Sequence, residues 1–290
     1  MSPQFHLEYF DPPPELSRHV LALFYFAWDE DDISDRHPGA LPQIVLFPHG
    51  KGQMQFDDRV EPVQGEVHML AGFEKAVPFT MEGPWHAIGA SLSPLGWAAL
   101  ARQPANKHYN TLIPADELVG SDVNAFAKET NERYRTGDLT GAEACNVLAD
   151  WIAPRFEPVP EEHVPIIEQG LYWLSSSLNP DIDVLVAGSP YSRRQTERLI
   201  TRYFGLTPRA LARKFRAIRA ANLLAQPELT DEGEAEIAAA FYDQPHMIRE
   251  IRRHCGYTPT RLGGPKEPLF QTLLRMKNLD RLKEFRSIGE

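Results

Sequence analysis

Apolar positions along the chain fall into two regimes, and the change between them divides the sequence. In the first ninety or so residues, short runs rich in aromatic and β-branched side chains recur between Gly, Pro and Asp: LFYFAW at 23–28, QIVLFPHG at 43–50, QMQFDD at 53–58, HMLAGF at 68–73 and HAIGASL at 86–92. These predict the strands of a small β-barrel or sandwich. From Ser93 the spacing turns helical. Ser93-Pro94 sets a helix start before LGWAALA, and further helices are predicted near 121–135 and 140–153, the last opened by a Thr140/Glu143 capping box.

The stretch PRFEPVPEEHVP at 154–165 carries four prolines and can continue neither a helix nor a central strand. Beyond it every periodic segment is helical: 164–178, 181–187, 192–204, 208–225, about 233–240, 243–254 and 268–285. The last segment places Leu269, Leu273, Met276 and Leu279 near one stripe, widened by Phe270, Leu274 and Leu282. Either the rest of the chain or a second copy would cover it. The expected organisation is α+β. It has a β-barrel- or sandwich-like (cupin-like) domain with trailing helices at 1–158, an all-α domain at 162–264 and an amphipathic helix at 265–290.

The all-α region contains an internal repeat at an offset of 51 residues. SRRQTERLITRYFGLTPRAL begins at Ser192 and DQPHMIREIRRHCGYTPTRL at Asp243. Each opens on an N-cap residue, runs three turns, ends at a glycine (Gly205, Gly256) suited to a left-handed C′ position, and restarts with Thr-Pro (Thr207-Pro208, Thr258-Pro259). The equivalent pairs are Arg198 with Arg249, Ile200 with Ile251 and Arg202 with Arg253.

A short helix, a turn and a second helix is the arrangement that places the second helix in a major groove, its N-terminal residues meeting base edges. In the first unit 181–187 would be the preceding helix. Arg194, Glu197 and Arg198 lie three and four apart and share one face of the second helix, while Leu199, Tyr203 and Phe204 face the core. Arg can bond guanine O6 and N7 together, and Glu can accept from cytosine N4. The candidate DNA-contacting residues are Ser192, Arg193, Arg194, Glu197, Arg198 and Arg202 in the first unit, and Gln244, His246, Arg249 and Arg253 in the second.

These stretches, SRRQTERLITRYFGLTPRALARKFRAIRAANLL and FYDQPHMIREIRRHCGYTPTRL, resemble the DNA-binding domain of the AraC family over about residues 164–262. The resemblance implies two helix-turn-helix units, joined by a long helix at about 208–225, entering successive major grooves. It also implies transcription regulation and RNA polymerase as a partner. PPPELSRHVLALFYFAW, ALPQIVLFPHG and IGASLSPLGWAALA are similar to the poorly characterised β-rich domain that precedes this module in many bacterial regulators, and this similarity implies no known ligand. There are departures. Pro190 and Ala240 stand where glycine is usual in each turn, Thr196 replaces an apolar core residue, and Glu236 falls where a small buried residue is usual unless that helix is two residues short.

Charge supports the same reading only through its distribution. The net charge is −10, yet residues 1–160 hold 11 Lys and Arg against 23 Asp and Glu, whereas 161–290 hold 19 against 17. Within 191–223 there are nine basic residues and one acid, Glu197, a local +8 that suits a polyanion. Arg213, Lys214, Arg216 and Arg219 on the joining helix are expected to act on phosphates.

The composition, 42% hydrophobic and 24% charged, is that of a chain able to bury a core. No stretch approaches a membrane span and the start has no signal-peptide pattern, so a cytoplasmic protein is expected. Cys145 and Cys255 stand far apart, as buried hydrophobes of a reducing compartment would. His37, His49, His68 and His86 lack metal-ligand spacing, no catalytic motif is present, and neither a cofactor nor catalysis is expected. Phe24, Tyr25, Phe26 and Trp28, with Phe47, Phe56, Phe73, Trp85 and Trp97, would form an aromatic core or line a small-molecule effector pocket. A homodimer is the expected assembly. The rival reading is a ligand-sensing or protein-interaction module whose DNA binding has decayed.

Overall fold

The computed structural model describes residues 5–226 and 228–262. The first half is built on β1 (Phe5–Phe10), β2 (Val20–Trp28), β3 (Ile33–His37), β4 (Gln43–Gln55), β5 (Val60–Val63), β6 (Val67–Leu70), β7 (Val77–Leu92) and β8 (Ile113–Pro114). They form one antiparallel sheet in the order β1-β2-β7-β4-β6-β8, with β3 alongside β7 and β5 alongside β4. The runs at 43–50 and 53–58 belong to one strand, not two. Pro48, Gly50 and Gly52 look like turn punctuation, but β4 passes through them by shifting register between Leu46 and His49 and again before Lys51. β7 likewise starts well before HAIGASL and pairs with β3 through its first five residues.

Because β4 and β7 run through both parts of the sheet and bend at these bulges, the sheet folds over on itself. Alternate residues then face different cores. Phe24, Phe26, Val45, Met54, Phe79 and Ala87 point into the fold. Leu23, Ile44, Leu46, Ile88 and Ala90 point outward into a second core covered by α1 (Pro94–Ala101), α2 (Asp116–Val119), α3 (Asp122–Arg135) and α4 (Gly141–Ile152). The sheet's end strands β1 and β8 do not pair with each other, so it is sandwich-like, not a closed barrel. Ser93 Oγ accepts from Gly96 N at 2.9 Å to start α1, and the Thr140/Glu143 capping box starts α4.

After the proline-rich stretch come α5 (Val164–Ser176), α6 (Ile182–Ala187), α7 (Arg193–Phe204), α8 (Pro208–Leu224), α9 (Asp231–Ala240) and α10 (Gln244–Cys255). The predicted helix at 268–285 lies outside the described residues. α8 has 17 residues, about 26 Å at 1.5 Å each. Its first half packs against Leu171, Leu174, Leu199 and Phe204, and its second half against Ile237, Phe241, Ile251 and Cys255. The first of these cores also takes in Leu21, Leu41 and Leu95, so apolar side chains of the β-sheet half and of the helical half share one cluster.

Candidate nucleic-acid interface

Local chemistry fixes both ends of α7. Ser192 Oγ caps its N-terminus by accepting from Gln195 N, and Gly205 closes it at φ +84°. Leu199, Tyr203 and Phe204 are buried, as their spacing predicts, and Ile200 is buried with them. Thr196 is buried too, and Ser189 in the turn accounts for it: the two hydroxyls are 2.8 Å apart, so the polar atom is satisfied. Neither turn needs a left-handed residue at Pro190 or Ala240, since no positive φ occurs between Gly137 and Gly205 or between Gly205 and Gly256 among the described residues.

On the outer face of α7, Ser192, Arg193, Arg194, Glu197, Arg198 and Arg202 are all exposed. Arg193 is ion-paired with Asp183 on α6, which ties the two helices together, and its guanidinium is also 4.0 Å from Glu197. Arg202 lies over the Tyr203 ring at 5.8 Å. Arg194 and Arg198 make no ion pair or hydrogen bond among the described residues, and their guanidinium donors are unengaged there.

α10 repeats the capping. Asp243 accepts from His246 N at 2.6 Å, and Gly256 sits at φ +86°. Gln244 and Arg249 are exposed. His246 is half-buried with its ring against Phe241, and its Nδ1 is buried without a hydrogen bond among the described residues. Arg253, although exposed, is engaged: its guanidinium donates to Glu74 Oε1 at 2.6 Å. Glu236 is exposed. α9 instead buries Gly233, Ile237 and Ala240.

The basic residues of α8 are not placed as the charge count predicted. Arg213 makes a two-point pair with Glu250 at 3.0 and 3.1 Å. Arg216 donates to Asn179 at 2.9 Å, and Arg219 to the carbonyl of Leu174 at 3.1 Å. Lys214 is fully buried and donates to the carbonyls of Gly39 and Phe73. Burial pushes the Glu250 carboxyl up, but the Arg213 guanidinium and nearby His254 and His246 more than offset this, and its pKa lies below the ordinary value. α8 is therefore a structural strut, and the +8 of 191–223 overstates what faces solvent. Arg209 is exposed at the start of α8.

Sequence reasoning also passed over Tyr242, which is 94% exposed just before the N-cap of α10. The 51-residue offset pairs it with Tyr191, whose hydroxyl donates to Glu162 O at 2.6 Å. The register was there to find it. Cys145 and Cys255 are buried free thiols, and burial raises the pKa of Cys145 to about 12. Among the described residues no group of three or more His, Cys, Asp or Glu is placed to hold a metal, and no helix is long and apolar enough to cross a membrane.

A family model described as "Helix-turn-helix domain" matches residues 186–263, which takes in α7 through α10. No curated protein matches the chain in sequence. Solved structures similar to it include an apo single-site variant of ToxT from Vibrio cholerae strain SCE256, at 10% identity and TM-score 0.44, covering 90% of this chain and 96% of that one. ToxT from Vibrio cholerae O395 follows at 9% identity and TM-score 0.41, with 87% and 93% covered. The AraC-like transcriptional activator CuxR is similar at 15% identity and TM-score 0.30, with 80% and 90% covered.

Proposed function

We propose, from the premise that residues 186–263 carry an AraC-type helix-turn-helix domain, that this protein is a sequence-specific DNA-binding transcription regulator. The observation that carries the reading is the pair of equivalently capped helices, α7 and α10, each buried on one side and rich in arginine on the other. They are the recognition helices, and they enter successive major grooves. Arg194, Glu197 and Arg198 read bases from α7, with Ser192, Arg193 and Arg202 on the flanking backbone. Gln244, His246, Arg249 and Arg253 do the corresponding work on α10. A second copy of the chain and RNA polymerase are the partners that the family resemblance adds.

The sheet domain takes the effector. Its interior leaves a cavity of about 90 Å3 among Phe24, Phe26, Met54, Phe79 and Trp85. His68, which also lines it, has a pKa lowered to about 4 by burial, so the cavity suits a small neutral, mainly apolar molecule. Buried Nδ1 of His68 and Nε1 of Trp85 have no hydrogen-bond partner among the described residues.

The test compares equivalent arginines on the tightest-binding duplex recovered from a random pool, at one fixed salt concentration. Arg198→Ala is expected to cost about 1–3 kcal/mol and to relax specificity at one base pair. Arg249→Ala should cost less and act evenly across sequences, because α7 presents Arg194, Glu197 and Arg198 together while α10 has Pro245 in its first turn. Circular dichroism must show both variants folded. An Arg249→Ala loss equal to or above that of Arg198→Ala would refute the asymmetry, and absence of salt-dependent binding in the parent protein would refute DNA reading altogether.

A further inference from the structure

We propose that Tyr242 is a backbone-phosphate contact of the second helix-turn-helix unit, a neutral donor that seats the tip of α10 where no cation is at hand. The inference rests on the DNA-binding reading above. The two recognition helices differ most at the ends that would enter the groove. At the tip of α7 the residues Ser192, Arg193, Arg194 and Gln195 are exposed, so two guanidinium groups stand within its first turn. At the tip of α10 the exposed residues are Tyr242, Asp243, Gln244 and Pro245. Its first Lys or Arg is Arg249, six residues past the Asp243 cap and about 9 Å along the axis.

The peptide groups of that turn do not make up the difference. A helix N-terminus holds phosphate through free N–H groups. Here Pro245 has none, Asp243 takes the His246 N–H at 2.6 Å, and the Asp243 carboxylate repels an anion at the helix end. Gln244 is assigned to a base edge, which leaves Tyr242. It is 94% exposed, and its hydroxyl makes no hydrogen bond among the described residues. The backbone that carries it is fixed from both sides. Phe241 before it is extended and buried, with the Arg216 guanidinium 5.0 Å from its ring centre, and Asp243 after it is held by the cap. Tyr242 therefore stands out from an anchored turn. The repeat supplies the comparison. Tyr191, its counterpart 51 residues earlier, is half-buried and gives its hydroxyl to the Glu162 carbonyl at 2.6 Å. One tyrosine ties the linker to its unit, and the other keeps a donor open beside the groove-entering end. Tyrosine hydroxyls are among the groups that bond phosphate oxygens of a duplex and so fix register.

The test uses the full chain and the tightest-binding duplex from a random pool. Tyr242→Phe should bind about 3- to 10-fold more weakly than the parent, the effect of one net hydrogen bond, and Tyr242→Ala at least as weakly. Neither should change the salt slope, because a neutral donor releases no counterion, whereas Arg249→Ala should lower it by about 1. Ethylation interference locates the contact: one phosphate at the second half-site should interfere with the parent when ethylated and have no effect on Tyr242→Phe. Thermal midpoints should match the parent's, since the ring packs on nothing that holds the fold. Tyr242→Phe binding as tightly as the parent, with the same interference pattern, would overturn the proposal. So would a loss confined to Tyr242→Ala, which assigns the effect to the ring and not the hydroxyl, or a lowered salt slope in Tyr242→Phe. If the parent shows no salt-dependent affinity for any duplex, the DNA reading itself falls and the proposal with it.

Discussion

Trp173→Ala is expected to destabilise the protein by about 3–5 kcal/mol, the usual range for removing a buried indole. Trp173 is 1% exposed in the core shared by α5, α7 and α8. Its Nε1 also donates to Asp181 O at 2.7 Å, and Asp181 in turn caps α6 by accepting from Asp183 N at 2.9 Å. Losing the indole therefore leaves a cavity and loosens the start of the helix that positions Arg193. Trp173→Phe keeps most of the volume and loses the hydrogen bond, for a cost nearer 1–2 kcal/mol. Denaturant titration of both variants measures the difference. A Trp173→Ala midpoint within error of the parent would show that α5 is dispensable to this core.

What the sequence made legible was local. Caps at Ser192, Asp243 and Thr140, and C′ glycines at 205 and 256, rest on contacts within four residues, and each is found where its spacing predicts it. The α+β order was legible for the same reason. β4 was not, because glycine and proline inside a bulged strand look the same as glycine and proline ending one. The basic cluster misled because its partners are distant: Arg213 finds Glu250 across 37 residues, and Lys214 finds the Gly39 carbonyl across 175. Lys214 could have been caught. Leu211, Phe215 and Ile218 define the buried stripe of α8, and position 214 falls at i+3 within it. Charge suggested exposure where periodicity indicated burial, and periodicity was right. Which of the candidate residues meet DNA depends on the placement of a partner that no local rule encodes.

Lys214 leads to the second large effect, which is one of pH. Its three ammonium donors have three oxygen acceptors: the carbonyls of Gly39 and Phe73 and, at 3.3 Å, the Tyr109 hydroxyl. No carboxylate pairs with it among the described residues. Burial pulls its pKa from 10.5 down to about 7, with Cys255 and Glu74 acting weakly the other way. His37 and His254 also lie close enough for Lys214 to lower their pKa values. Between about pH 7 and 10.5 the unfolded chain binds this proton more tightly than the folded one. Stability therefore rises with pH in that window, and below it the folded state bears the full cost of a buried cation. From pH 7 to 9 the parent should gain on the order of 2 kcal/mol from this group. Lys214→Met should lack that gain, so the stability of the parent relative to the variant rises by the same amount toward pH 9, while the carbonyls stranded in the variant cost it equally across the window. His37 and His254, lowered to about 4 by burial first and by Lys214 second, titrate below the window in the parent, and loss of the Lys214 charge moves both only back toward the ordinary 6.5, still below it. Parallel stability curves for parent and variant from pH 7 to 9 would show that Lys214 stays charged throughout.

The placement of Lys214 also limits how far the two halves can be exchanged. A chimaera that joined this helical half to another N-terminal domain at residues 154–165 would carry over an amine whose acceptors, the Gly39 and Phe73 carbonyls, stayed behind with the original sheet domain. It would also bare the side of the α5–α8 core that Leu21, Leu41 and Leu95 now cover. An exchange that fits at the linker would then fail at the seam. For a graft to fold, the incoming domain must bring its own pair of carbonyls and its own apolar face, or Lys214 must be replaced in the same step.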